Sequence, residues 1–330
     1  MRAVVLVGGE GTRLRPLTLT RPKQMLPVIG MTMLEHVLRG LASHGVEEAV
    51  LSLGYKPDAF LRAFPDGRAG GVRLRYAVEA TPLDTAGAIR FAAWEAGFDE
   101  ERVIVVNGDI LTDLDVGALV RFHEASGAEA TLSLHQVADP SAFGVVTTAN
   151  DGRVLEFVEK PKREDAPTDW INAGTYVLEP EALARIPLNE RVSIERVTFP
   201  QIAADGRLYG FAWKGQWVDA GTPATYRTSQ LELLSAASES GASWFGPGSI
   251  VDGTVDGSIV GALGRIAAGA RVDDSVLLPH CVVGTRARVT RSVLGQGVVV
   301  EDGASVVDTV LGDGVVVAAG ECLEGVSQPA

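Results

Sequence analysis

Four consecutive stretches of 17 residues repeat near the C-terminal end of this chain, and a repeat that short leaves few folds open. They are TVDGSIVGALGRIAAGA (254–270), RVDDSVLLPHCVVGTRA (271–287), RVTRSVLGQGVVVEDGA (288–304) and SVVDTVLGDGVVVAAGE (305–321). Valine holds the second position of every unit (Val255, Val272, Val289, Val306). A β-branched residue holds the thirteenth (Ile266, Val283, Val300, Val317). Each unit splits as six, five and six residues, with a β-branched or leucine residue heading each short face. A triangular coil needs one inward apolar side chain per face and small residues at its corners, so this spacing predicts a parallel β-helix. A Gly/Val-rich sandwich is the alternative, and four in-register units argue against it. Such a coil explains architecture without specifying chemistry. Removing residues after about 245 should therefore change solubility or assembly and spare any chemistry done upstream.

Upstream of the repeats the pattern is different. Lysine is present only up to Lys214, and 330 residues exceed what one core usually organises, so two domains are expected, 1–240 and 241–330. Ala3–Val7 is apolar on both faces and stopped by glycines, as a buried parallel strand would be. Thr32 with Glu35 reads as a capping box opening an amphipathic helix that His44-Gly45 closes. Strands are predicted at Ala49–Leu53, Val72–Val78 and Val103–Val106, with helices at Thr85–Ala96 and Asp115–Glu124 between and after them. Strand-like pieces follow at 130–137, 144–148, 153–159 and 171–178, then a helix over Thr222–Ser238. The alternation indicates an open α/β sheet that takes its ligand at the carboxyl ends of the strands.

Formal net charge is −13, which repels phosphate backbones and argues against a nucleic-acid partner. The first 23 residues run the other way: Arg2, Arg13, Arg15, Arg21 and Lys23 face only Glu10, which suits a small anionic ligand. Two cysteines cannot make a disulfide framework; Cys281 and Cys322 read as small core residues in a reducing cytoplasm. The apolar run at the start is too short for a signal peptide, and no stretch approaches the ~20 residues that span a bilayer. His36, His44, His123 and His135 lack metal-ligand spacing and are expected to be structural.

The sequence Gly8-Gly9-Glu10-Gly11-Thr12-Arg13-Leu14 follows the first strand. A glycine-rich loop there lets backbone N–H groups approach phosphate oxygens, and Arg13 adds a forked donor. It lacks the Gly-Lys-Ser/Thr of a P-loop, and Leu14 stands where a dinucleotide fingerprint needs its third glycine. By itself the loop is equally a tight turn. Lys23 adds a point charge behind Pro22.

These residues resemble the sugar-1-phosphate nucleotidylyltransferases, and among them most the GDP-mannose pyrophosphorylases, or mannose-1-phosphate guanylyltransferases. The resemblance rests on LVGGEGTRLRPLT (6–18), RPKQMLPV (21–28), Tyr76–Gly87, Asn107-Gly108-Asp109, FGVV (143–146), FVEKP (157–161), INAGTY (171–176) and WVDAGT (217–222). It implies a Rossmann-like nucleotidyltransferase domain followed by a left-handed parallel β-helix of hexapeptide-type repeats.

The implied reaction is attack by a sugar-1-phosphate oxygen on the α-phosphorus of a nucleoside triphosphate, with pyrophosphate leaving. Catalysis there is mainly alignment and charge neutralisation. Arg13 and Lys23 are implied as catalytic residues. Leu6, Gly8, Gly9, Gly11, Thr12, Glu79, Asp84, Thr85 and Gly108 would bind the nucleotide. Gly144, Glu159, Lys160, Asn172 and Gly174 would bind the sugar phosphate. Asp109 and Asp219 are implied as Mg²⁺ ligands, a donor type that suits octahedral Mg²⁺. The residues alone leave a lesser alternative, Asp109 as a turn former and Asp219 as a helix cap.

GTP and mannose 1-phosphate are the substrates implied, in a cytoplasmic homo-oligomer without nucleic-acid or membrane partners. Three departures bear on the base. Asp84 stands where the family usually has glycine, Met31-Thr32 replaces a usual Lys-Pro, and Gln24 is more typical of relatives that use dTTP. Glu79 argues for guanine: a carboxylate accepts from N1–H and the 2-amino group together, whereas thymine or uracil offers one N–H between two carbonyls. The alternatives are a glucose-1-phosphate thymidylyl- or uridylyltransferase and a non-catalytic regulatory subunit on the same fold. An acyltransferase on the coil would have only His280 as its histidine.

Overall fold

The computed structural model describes residues 1–54, 56–237 and 242–329. The domain boundary expected between residues 240 and 241, and the end of the helix expected at Ser238, lie outside the described residues. The chain groups into two compact units, Met1–Gly9 with Leu34–Val218, and Glu10–Met33 with Asp219–Ala330. The glycine-rich loop is thus divided between them after Gly9.

The first unit is built on a ten-stranded sheet. Its main strands are β1 (Arg2–Leu6), β2 (Glu48–Leu53), β3 (Val72–Val78), β4 (Val103–Asn107), β5 (Ala130–Gln136), β6 (Gly144–Thr148), β7 (Val154–Glu159), β8 (Trp170–Leu178) and β9 (Leu208–Ala212). They lie in the order β7-β6-β8-β4-β1-β2-β3, closed by the short strand Arg68–Ala69, while β5 pairs with β8 and β9. β1 runs parallel to β2 and β4, with Leu6 opposite both Ser52 and Asn107. The carboxyl ends of three parallel strands therefore come level. β8 enters antiparallel beside β4, so the sheet is mixed where the sequence pattern loosens after residue 126. Ala3, Val4 and Val5 are wholly buried, which is why β1 carries no polar face.

Helices cover the sheet. α1 (Met33–Ser43) starts directly after Thr32, and Gly45 follows it at φ +84°. α2 (Asp84–Glu95) buries an Ala/Gly-rich face, and Gly87 has no room for a side chain because the Glu190 carbonyl would lie 2.2 Å from its Cβ. α3 (Val116–Ser126) is capped by Asp115, whose carboxylate accepts from Ala118 N, and ends on Gly127 at φ +61°.

The second unit contains the segment 10–33, α4 (Pro223–Ala237) and the repeats. The repeats form three sheets of short parallel strands, one of six and two of five, consistent with a β-helix. From Thr254 on, each strand pairs with the one 17 residues further, as Val272 pairs with Val289 and Val283 with Val300. Val272, Val289 and Val306 are wholly buried, as are Leu277, Leu294 and Leu311 on the next face and Val283, Val300 and Val317 on the third. Each such side chain contributes roughly 1.5–3 kcal/mol.

Between these faces the chain turns through left-handed backbone: Asp274, His280 and Arg286 in the second unit, Arg291, Gly297 and Gly303 in the third. A column of buried hydroxyls, Ser258, Ser275, Ser292 and Thr309, runs through the coil. Each donates to the carbonyl two residues back and accepts the N–H of the next turn.

One expectation is corrected here: Cys281 is a buried core residue, but Cys322 is exposed, because it stands in register with Ser305, Arg288 and Arg271 at an outward-facing position of the repeat.

Candidate active site

In the first unit, the expected nucleotide-binding residues gather at the level carboxyl ends of the parallel strands. Gly8 follows β1, and a Cβ there would meet Gly54 N at 3.6 Å and Glu79 Oε1 at 3.9 Å. Glu79 is held in place by Ser52 Oγ, which donates to Oε1 at 3.0 Å, and by Leu83 N, which donates to Oε2 at 2.9 Å. Ser52 is buried and was not singled out from the sequence, although a hydroxyl near the end of an apolar strand was a signal. Gly108 N donates to Leu6 O at 2.9 Å. A Cβ on Gly108 would sit 2.5 Å from Val7 Cγ1, so only glycine lets the Asn107-Gly108-Asp109 turn lie against the first strand.

Asp84 opens α2 at φ +60°, a conformation that favours glycine and that Asp tolerates better than most residues. This accounts for glycine being usual at this position. Its carboxylate accepts from Thr85 N at 2.9 Å and lies 3.9 Å from Arg191 Nε, an exposed pairing. The Thr85 hydroxyl donates to Glu195 Oε2 at 2.7 Å and accepts from Ile194 N at 2.8 Å. That hydroxyl pins α2 to a neighbouring segment, which is a structural use.

The expected sugar-phosphate residues fall on β6, β7 and β8. Gly144 faces Phe157, whose Cζ would be 2.5 Å from a Cβ, and Glu159 Oε2, at 3.1 Å. Glu159 pairs with Lys160 Nζ at 3.2 Å, and Lys160 itself sits at φ +49°. In β8 the pairing register shifts between Asn172 and Tyr176. That irregularity places Gly174 at φ +79°, where a Cβ would be 2.6 Å from Asn107 Nδ2. Asn172 Nδ2 donates to Tyr176 Oη at 3.0 Å, and its Oδ1 accepts from Gly174 N at 3.1 Å. Burial pushes the Tyr176 phenol far above its ordinary value, so it stays a neutral partner. Trp217 Nε1 donates to Ala173 O at 3.0 Å and the ring stacks on His135. Tyr176 closes the INAGTY motif, whose reading named Asn172 and Gly174 but not the phenol that orients Asn172.

In the second unit, the loop folds on itself. Gly11 is left-handed (φ +63°) and opens the short helix Thr12–Leu14. Its carbonyl accepts from Thr18 Oγ1 at 2.8 Å and Leu14 N at 3.0 Å. Leu14, Leu17 and Leu26 are wholly buried. Lys23 is 5% exposed, and its Nζ lies 3.1 Å from Asp219 Oδ1. Two residues 196 positions apart, both expected at the site, are thereby brought together. Gly221 leaves the space between Asp219 and Arg13 clear: a Cβ there would meet the Asp219 oxygens at 3.1 and 3.3 Å and Arg13 Nη2 at 3.4 Å. Thr222, not Asp219, caps α4, its hydroxyl accepting from Thr225 N at 3.2 Å.

Among the described residues no group of three or more His, Cys, Asp or Glu is placed to hold a metal, and no helix is long and apolar enough to cross a membrane. His280 is an exposed corner residue of the coil.

Residues 2–236 match the family described as nucleotidyl transferase, and residues 225–324 match the GlmU-like C-terminal hexapeptide region. The mannose-1-phosphate guanylyltransferase of Mycobacterium tuberculosis is 41% identical over 290 residues, covering 83% of this chain and 79% of that protein. The mannose-1-phosphate guanyltransferase of Aspergillus fumigatus is 38% identical over 252 residues, covering 76% and 68%. The crystal structure of HddC from Yersinia pseudotuberculosis complexed with GMP-PN superposes with a TM-score of 0.59 at 29% identity, covering 70% of this chain and 99% of that one. With its sheet, glycine-rich loop and repeats so matched, the chain belongs to the nucleotidyl transferase family and carries a GlmU-like hexapeptide region at its C-terminal end.

Proposed function

We propose that this protein is a mannose-1-phosphate guanylyltransferase. A phosphate oxygen of mannose 1-phosphate attacks the α-phosphorus of GTP, the bond to the bridging oxygen breaks, and pyrophosphate leaves as GDP-mannose forms. The observation that supports it most is the buried Lys23 ammonium held 3.1 Å from Asp219 behind a glycine-rich loop, in a chain 41% identical to a relative of that name.

In this reading the backbone N–H groups of Gly8, Gly9, Gly11 and Thr12 cradle phosphate oxygens, and Arg13 and Lys23 neutralise the charge that builds up during transfer. A cation already out of water acts more strongly on a phosphate than one in solvent. Leu6 and Gly108 line the nucleotide, and Gly144, Glu159, Lys160, Asn172 and Gly174 receive the sugar phosphate.

Asp109 and Asp219 are each proposed as a Mg²⁺ ligand. Carboxylate oxygens are hard donors and suit an ion that takes most of its ligands from phosphates and water. When bound, such an ion withdraws charge from the phosphates.

Glu79 is proposed to read guanine. Its two hydrogen bonds fix the plane of the carboxylate, and each oxygen keeps a second acceptor direction for N1–H and the 2-amino group. Gln24 favours the second reading, a thymidylyl- or uridylyltransferase acting on glucose 1-phosphate: it is 4% exposed, and its Oε1 has no hydrogen-bond partner among the described residues.

Pyrophosphate release measured across GTP, dTTP, UTP and ATP with mannose or glucose 1-phosphate separates the readings. Turnover is expected to be fastest with GTP and mannose 1-phosphate. The Glu79→Gln variant is expected to shift the preference towards dTTP or UTP by roughly 5- to 150-fold, the scale of a mismatched bidentate base contact of ~1–3 kcal/mol. Faster turnover of dTTP than GTP by the unaltered protein overturns the proposal.

A further inference from the structure

The ninth residue of each repeat faces none of the demands of the coil's core, and it differs in every unit: Ala262, Pro279, Gln296 and Asp313. The last two hold the loop. Asp313 Oδ1 accepts from the Gln296 backbone N–H at 2.8 Å, which fixes the carboxylate to the turn before it. Its Oδ2 accepts from Thr20 Oγ1 at 2.6 Å and from Arg21 Nη2 at 2.5 Å. Arg21 Nη2 donates in addition to Gln296 Oε1 at 2.9 Å. The Arg21 and Asp313 side chains are only 20% and 17% exposed, so this is a charge-assisted bond largely removed from water.

Lys23 lies two residues further on, and the chain between has little freedom. Pro22 is buried with its ring fixing φ, Met25 N donates to Pro22 O, and Leu26 N donates to Lys23 O. The other end of the loop is also tied to this unit. Tyr226 Oη donates to Pro27 O, Ile29 N donates to Gln230 Oε1, and Gly30 packs against the Trp244 ring.

We infer that Asp313, with Gln296, is a positioning residue for the Lys23 loop, so that the coil sets where the lysine ammonium stands. The inference rests on the reading of Lys23 as the residue that neutralises the reacting phosphates. It alters the role expected for the repeats, which on sequence alone serve assembly and leave the chemistry untouched.

The test uses the full chain with Asp313→Ala, Asp313→Asn and Arg21→Gln, the last of which leaves the coil itself unaltered. Asp308→Ala is the control, since it removes the Arg291–Asp308 pair elsewhere on the coil. Amide hydrogen exchange without substrate is read at Leu19, Met25 and Leu26. It is expected to quicken at least about tenfold in Asp313→Ala and Arg21→Gln and to stay unchanged in the control. Pyrophosphate release from GTP and mannose 1-phosphate is expected to fall by about 10- to 100-fold, chiefly in kcat, with Asp313→Asn intermediate and Arg21→Gln/Asp313→Ala no worse than the worse single variant.

Exchange at the unaltered rate in Arg21→Gln, or a loosened loop with unchanged kcat, overturns the inference. If the unaltered protein releases no pyrophosphate from any substrate pair, the reading of Lys23 fails and the catalytic half of the inference with it. The exchange comparison then still decides whether the coil holds the loop.

Discussion

Two glycines with nearly the same backbone make a controlled experiment on the candidate site. Gly174 (φ +79°) and Gly127 (φ +61°) both occupy the left-handed region, so alanine at either is strained by about 1 kcal/mol. They differ in what a new methyl group meets. At Gly127 nothing lies within 4 Å; at Gly174 Asn107 Nδ2 and Ile110 Cδ1 each lie 2.6 Å away. Ordinary contact starts near 3.4 Å, so both neighbours must retreat by roughly 1 Å. Both atoms are side-chain tips, and moving them adds about 1–2 kcal/mol, the lower part of the overpacking range.

The expected loss of stability is therefore about 2–3 kcal/mol for Gly174→Ala and about 1 kcal/mol for Gly127→Ala, measured by urea unfolding. The larger contrast is kinetic. Asn107 adjoins Gly108-Asp109, and a displacement of about 1 Å in a positioning group lowers turnover by about 100-fold, whereas Gly127 ends a helix and a methyl group there meets nothing within 4 Å. Gly174→Ala with the turnover of Gly127→Ala would refute the claim that this close approach positions the Asn-Gly-Asp turn.

Three further outcomes follow from the same structure. Ser275→Ala leaves the buried N–H of Ser292 without its acceptor, and is expected to destabilise the coil by about 1–3 kcal/mol in urea unfolding. Burial depresses the His123 pKa, so the stability due to the neutral ring is present above the ordinary value of about 6.5 and is lost as pH falls from there towards the folded value. His123→Gln should show a smaller drop in Tm between about pH 7.5 and about pH 5.5 than the unaltered protein. Asp84→Gly relieves a left-handed aspartate and gives up one exposed pairing with Arg191, so stability should change by no more than about 1 kcal/mol and nucleotide preference should not move.

Much of this site was legible because its residues sit where apolar runs stop. Val72–Val78 and Gly144–Thr148 form at the bounds their alternation predicts, and Leu6, Ser52 and Asn107 come level because the three parallel strands share one register. The short strand Ile110–Thr112, the strand Leu208–Ala212 and the helical turns over residues 194–204 were not legible. They depend on partners distant in sequence, as Leu208 does on Ala130 and Ile194 on Thr85. The same limit applied to side chains. Motifs named Glu79 and Asn172, but the groups that orient them, Ser52 and Tyr176, were recognisable only once the strands had been laid side by side.

The repeats divide into what periodicity explains and what it leaves over. Positions 2, 7 and 13 recur as buried aliphatic residues because each turn must cover the core of the one before, and position 5 recurs as Ser or Thr because a hydroxyl there satisfies two backbone groups at once. A residue set by stacking alone should recur in this way in every unit. Position 9 does not: Ala262 and Pro279 give way to Gln296 and Asp313 in the two turns that meet Thr20 and Arg21. The carboxylate's Oδ1 serves the coil by accepting the Gln296 N–H, as Asp302 does for Thr285 N at another corner, but stacking gives no reason for its Oδ2 to meet Thr20 and an arginine 292 residues earlier in the chain. In a solenoid, regular positions thus report the fold and departures from the repeat report what the solenoid holds. Here the departure lies against the loop that carries Lys23.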